Sequence, residues 1–389
     1  MRADRASPFR ALCGAVARAC GVPGAPAQPG AGDWDELARL AARHNVVGLL
    51  RRSGVVAAAP GAVRTALAAR EQRTAMHALY LLAVQRRVLA ALEEAGIRAI
   101  VLKGAALSAE AHGDPTARDP RDVDLLVAQR DVRPAIETLL ARGLEWHGWR
   151  RPDDPDRGAP GPAALDELDR LPLLRDVKLV SGPLHVEVHW RLFENRRLMA
   201  VDPAWLAAPR LVSIQGGEVP TLPLQAHLAY VLVHGTNHLW SLMKWLADVP
   251  ALVVRHPALA RPEALAAFDN DRAIAAGLLV AEAAFGPFLP DDARTWARGV
   301  RGTRVLVRAS LAALSAPDDR PKVVGPRELP TEVARRLAIR GDAAHRREEL
   351  RLLLLTAGRA HAVPDPGAAE LATAPLRWAR RLVRRRLST

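Results

Sequence analysis

Two carboxylates stand at the mouth of an apolar run: Asp122-Val123-Asp124 leads into Leu125-Leu126-Val127. In a strand, side chains alternate between faces, so Asp122 and Asp124 point one way and Val123 the other. Adjacent carboxylates repel each other and are costly to desolvate, and a divalent cation is the usual compensation. The residues upstream narrow the possibilities further. Residues 97–102 are a β-branched and apolar run that reads as a strand, followed by Lys103-Gly104 and a small-residue helical turn. A glycine turn that opens a helix presents free backbone N–H groups to an anion. An anion-binding turn on one strand and a paired-carboxylate metal site on the next form the layout needed for Mg²⁺-assisted transfer from a nucleoside triphosphate.

A third carboxylate comes later. Residues 175–180 and 184–190 are two strand-like runs around Ser181-Gly182-Pro183, a hairpin signal. In the second run His185, Glu187 and His189 share one face, and Val186 and Val188 share the other. The loop between the glycine turn and the paired acids, residues 113–121, carries Arg118 and Arg121. A guanidinium fork suits phosphate oxygens.

These residues resemble the polymerase-β-like nucleotidyltransferase superfamily, which pairs a Gly-containing turn with a D-x-D strand and a later third carboxylate. More narrowly, Leu102-Lys103-Gly104, Arg118 and the DVDLLV run at 122–127 are similar to the uncharacterised nucleotidyltransferase family. Its members carry LKG, an Arg-rich approach and D-[IV]-D-L-L-V. The VEVHW run at 186–190 also resembles the family, as does the H-x(3)-H-x(9)-D pattern of His234, His238 and Asp248. Two features depart from the superfamily. Gly104 is followed by Ala105 where Gly-Ser is usual, which removes a serine hydroxyl from the phosphate, and the gap from Gly104 to Asp122 is longer.

The resemblance spans about residues 35–255 and implies a function. Asp122, Asp124 and Glu187 would be the catalytic, metal-binding carboxylates of a two-metal Mg²⁺ site, with Glu187 also helping to deprotonate the acceptor. Lys103, Gly104 and Arg118 would hold the phosphates of an NTP. His238, Lys244 and Asp248 would touch nucleotide or acceptor from a helical lobe. The reaction would move a nucleoside monophosphate onto an acceptor and release pyrophosphate. The acceptor is left open among small molecules, peptides, proteins and RNA.

The rest of the chain is consistent with an α+β protein. A small mixed β-sheet core at 96–222 is expected between an N-terminal helical segment (1–95) and a C-terminal helical domain with a basic tail (223–389). Asp33 is a plausible N-cap for a helix at 34–44, and a long helix is expected at about 62–95, stopped by Gly96. Residues 200–219 read as a connector with a short strand at 211–215. Residues 223–253 read as one helical run, and further helices are expected at 262–285, 291–314 and 329–355. The loop at 151–165 carries Asp153, Asp154 and Asp156, read as solvated. Aromatics are only 4% of the chain, so the core must be Leu, Val and Ala. The net charge of +13 licenses a polyanionic partner without choosing one, and the arginine-rich amphipathic segment at 375–389 could meet nucleic acid or an anionic membrane surface. Neither a signal peptide nor an apolar run of membrane-spanning length is apparent, so a cytoplasmic protein is expected.

Two other functions fit the same residues. One is a nucleotide- or RNA-binding module of this fold without transfer chemistry. The other is a metal hydrolase using zinc or iron on the His185/Glu187/His189 face, although strict signature spacings are absent.

Overall fold

The structure, a computed structural model, describes residues 7–25, 33–147, 174–316 and 329–358. The basic segment at 375–389 and the acidic loop at 151–165 lie outside the described residues. Three short helices come first: α1 (Pro8–Ala19), α2 (Trp34–Arg43) and α3 (Val47–Arg52). Asp33 caps α2 as expected, its Oδ1 accepting from the Glu36 N–H at 2.9 Å. Cys13 and Cys20, in and just after α1, are buried, and burial pushes the Cys13 thiol up to about 12 and raises Cys20 as well. The long helix α4 (Gly61–Glu94) ends at Gly96, whose φ of +73° suits the left-handed stop that glycine allows.

The central part alternates strands and helices: β1 (Ala99–Val101), α5 (Gly104–His112), β2 (Val123–Val127), α6 (Val132–Ala141) and β3 (Glu145–Trp146). The hairpin of β4 (Asp176–Ser181) and β5 (Leu184–His189) follows, in antiparallel register with Lys178 opposite Glu187 and Asp176 opposite His189. Beyond α7 (Ala204–Ala207), residues expected to be mostly connector form a second hairpin, β6 (Arg210–Ile214) and β7 (Gly217–Thr221). Pro220 concealed β7 in the sequence, since proline is a poor strand residue. Yet β7 pairs in parallel with β1, Val101 against Thr221, and the Thr221 hydroxyl donates to the Val101 carbonyl at 2.6 Å. The strand order is β3-β4-β5-β2-β1-β7-β6 in a seven-stranded sheet.

Helices fill the rest: α8 (Leu224–Asn237), α9 (Met243–Arg255), α10 (Pro262–Ala266), α11 (Asp271–Phe285), α12 (Asp291–Gly299), α13 (Thr303–Leu314), α14 (Leu329–Ala338) and α15 (Ala343–Gly358). Each of the four helical runs expected after residue 223 is therefore broken in two. The break between α8 and α9 has a clear cause. Leu239 and Trp240 adopt positive φ (+55° and +50°), turning the Trp240 indole fully inward. It lies against Gly235, where a Cβ would stand 2.3 Å from the ring, and near Gly277. A side chain of this size in that place ends the helix through tertiary packing, which helical periodicity does not reveal.

The described residues divide into two compact units, each assembled from separated stretches: those within 1–87, 101–123 and 208–320 in one, and those within 88–100, 124–207 and 321–389 in the other. In the first, α11 packs on α8, α9 and α13, and α5 lies against α9 and β6. In the second, α6 covers β5, and α14 packs on α15. Among the described residues no helix is long and apolar enough to cross a membrane.

Gly235→Ala should overpack the Trp240 pocket, at a cost of about 1–3 kcal/mol. The thermal midpoint of the purified protein should fall by a few degrees, and an unchanged midpoint would mean that the indole is not clamped there.

Candidate active site

β5 and β2 bring a histidine and two carboxylates together. Asp124 is the second residue of β2, and Glu187 and His189 alternate on one face of β5; all three are buried. His189 Nε2 lies 3.2 Å from Asp124 Oδ1 and 3.4 Å from Glu187 Oε2. The hairpin register adds cross-strand neighbours. Lys178 Nζ is 2.5 Å from Glu187 Oε1, and Asp176 Oδ2 is 3.7 Å from His189 Nδ1.

The electrostatics follow from this packing. Burial pushes the Glu187 carboxyl up, but the hydrogen bond and charge of His189, aided by Lys178, outweigh it and hold the group at about 2. Burial pushes His189 down, yet Asp124, Asp176 and Glu187 raise it to about 9. His189 therefore carries its proton at neutral pH and serves as a cation between two anions.

One ligand atom from each of Asp124, Glu187 and His189 lies within 4.8 Å of the others. Two buried carboxylates around one position suit a hard divalent ion, and the imidazole, once it gives up its proton, also admits borderline ones such as Zn²⁺ or Fe²⁺. The donor set fits a divalent cation.

The other expected residues fall as follows. Asp122 is half-buried at the bend before β2, outside that three-residue cluster, and its charge acts on Lys244. His185 is half-buried and edge-on to His147 at 5.8 Å, so the cluster takes Asp124 in place of the His185 that the zinc-site alternative required. Gly104, with φ +67°, opens α5, and Lys103 Nζ stands 5.5 Å from the Tyr230 ring centroid. His238 is exposed, its ring 4.5 Å from His234 and 5.7 Å from Trp245.

Arg118, Lys244 and Asp248 form a connected set beneath the 113–121 loop. Asp248 on α9 is fully buried, and Arg118 Nε and His112 Nε2 lie 3.0 and 3.1 Å from its Oδ1. Lys244, one turn earlier, donates to the Asp119 carbonyl at 2.7 Å. Burial, with the charge of Arg118, lowers Lys244 to about 8. Ser108 of α5 completes the clasp, donating to the Asp114 carbonyl and accepting from the Arg118 N–H. Thus Asp248 holds Arg118 from below.

Sequence reasoning missed His189 as a partner of Asp124, and missed a further buried acid, Glu110. His227 Nδ1 lies 3.0 Å from Glu110 Oε2 while its Nε2 lies 2.9 Å from the Leu102 carbonyl, and Arg210 Nε meets Glu110 Oε1 at 2.5 Å. The alternation of β5 was the available signal for His189. Nothing in the local pattern marks Glu110.

The sequence profile of the family described as uncharacterised nucleotidyltransferases matches residues 30–286. That is well over half of the chain, which belongs to this family and so to the enzymes that transfer phosphorus-containing groups. No curated protein matches the chain.

Asp248→Asn should leave the buried Arg118 without its countercharge. Breaking one side of such a pair costs about 3 kcal/mol, which chemical denaturation should register as a lower midpoint with unchanged slope. A midpoint equal to wild type would show that the carboxylate charge is not what holds Arg118.

Proposed function

We propose that the protein is a Mg²⁺-dependent nucleotidyltransferase that moves a nucleoside monophosphate from an NTP to an acceptor hydroxyl. The acceptor oxygen bonds to the α-phosphorus and releases its proton to solvent, the bond from that phosphorus to the bridging oxygen of the β-phosphate breaks, and pyrophosphate leaves. The observation that carries this reading is the buried meeting of Asp124, Glu187 and His189 within the stretch that the family profile matches. Asp124 and Glu187 would hold the cation, with Asp122 supplying a further carboxylate at the head of β2. When bound, the cation would offset the negative charge that develops on the transferring phosphoryl group. A carboxyl held at about 2 is a poor proton acceptor, so Glu187 is better suited to ligation than to the base role expected from its sequence position. The free N–H groups at the start of α5 and Lys103 would receive phosphate oxygens. Arg118, fixed by Asp248, would add a preset positive charge, and positioning of this kind costs no reorganisation during reaction.

One observation favours a second reading. His189 and Lys178 already balance the buried carboxylates, as a nucleotide-binding module without transfer chemistry would also require.

Thermal unfolding with each NTP, with and without Mg²⁺, on wild type and Asp124→Asn separates the two. A ligand at a hundred times its Kd adds about 2.7 kcal/mol, enough to raise the midpoint by a few degrees. A Mg²⁺-dependent rise in wild type alone, with a loss of at least about a hundredfold in pyrophosphate release by the variant, is the expected outcome. Equal rises in both proteins would favour the binding module, and no rise with any NTP would sink the assignment.

A further inference from the structure

α4 buries an apolar stripe that includes Leu81, Leu82, Val84, Val88 and Leu92. Gln85 is the one polar side chain among the buried positions of this helix, only 3% exposed. Its amide nitrogen has no hydrogen-bond partner among the described residues. The amide oxygen stands 3.5 Å from where a Cβ on Gly104 would lie, so the whole group rests on the turn that opens α5. That nine-residue helix begins with no side-chain cap. The first backbone N–H groups of α5 are thus uncapped by any side chain, and against the same turn lies an amide whose two ends exchange by a half-turn about χ3, which brings its unpartnered N–H to face that turn.

A buried donor with no partner is destabilising, and native proteins keep few of them. An acceptor-rich ligand at the turn would satisfy it. The residue after Gly104 is Ala105, so no hydroxyl is offered from that position. Oxygens of a di- or triphosphate supply what this geometry lacks, since they are anionic, compact and carry several acceptors apiece.

We propose that Gln85 contacts substrate, donating its amide N–H to phosphate oxygens bound at the start of α5 and supplying the donor that Ala105 lacks. The proposal rests on the nucleotidyltransferase reading, and it adds a residue from the long N-terminal helix to the phosphate site. It also makes a prediction of opposite signs: removing the amide should help the empty protein and harm the liganded one.

The test uses the full-length chain with Gln85→Met, which keeps length and removes the donor, and Gln85→Leu as a second variant should the first pack poorly. The unliganded thermal midpoint should stay the same or rise. Affinity for Mg²⁺-pyrophosphate and for all four Mg²⁺-NTPs should fall by one common factor of about ten, as expected for a hydrogen bond to a charged group. Wild-type affinity in both variants would overturn the assignment to Gln85 while leaving nucleotidyl transfer standing. A loss confined to one base would place the amide at the nucleobase and overturn the phosphate role. A lower unliganded midpoint together with weaker binding would mark Gln85 as structural. Failure of the wild type itself to bind either pyrophosphate or any NTP would bring down both readings together.

Discussion

A buried carboxylate must find positive charge, and this chain meets that demand in a repeated way. Asp248 faces Arg118 and His112, Glu110 faces Arg210 and His227, and Glu349 faces Arg336 with the Asn195 amide beside it. Each is one acid against a guanidinium and a second polar group. On β2 and β5 the proportion changes, because Asp124 and Glu187 share the His189 imidazole and the flexible ammonium of Lys178 meets Glu187. A small compact ion is most readily accommodated where two acids share one imidazole. The excess of basic residues that gives the chain its charge of +13 is partly spent inside, on acids that position loops and strands.

The parts of this arrangement that were legible from the sequence are those with a local cause. Asp33 capped its helix because a short polar side chain can reach an N–H three residues on. β5 announced itself by alternation, and the D-x-D run by its position ahead of apolar residues. β7 was hidden by Pro220, which lies opposite Leu211 of β6, while its neighbour Thr221 pairs with Val101 of β1 across more than a hundred residues of chain. The end of α8 was hidden for a similar reason, since the space for Trp240 is made jointly by Gly235 on α8 and Gly277 on α11. His189 and Asp124 are 65 positions apart, and only the fold could show that they meet.

The candidate site gains its order from residues that need never touch a substrate. Ser108, Lys244 and Asp248 fasten the 113–121 loop from three directions, so Arg118 is presented with little freedom to lose. His227 and Glu110 do the same for the strand end at Leu102 that feeds the glycine turn. Rigid support of this sort is what electrostatic positioning requires, because a charge that must reorient during the reaction contributes less than one already in place.

The two thiols near the start of the chain have a use of their own. Cys13 and Cys20 are the only cysteines in the sequence, both are sealed from solvent, and burial keeps them protonated well beyond neutral pH. Since thiolate is the reactive form, the folded chain is close to inert toward alkylating reagents and mild oxidants. It thus carries a built-in gauge of local opening, in which any sulfur chemistry reports the moment when α1 lifts from its neighbours.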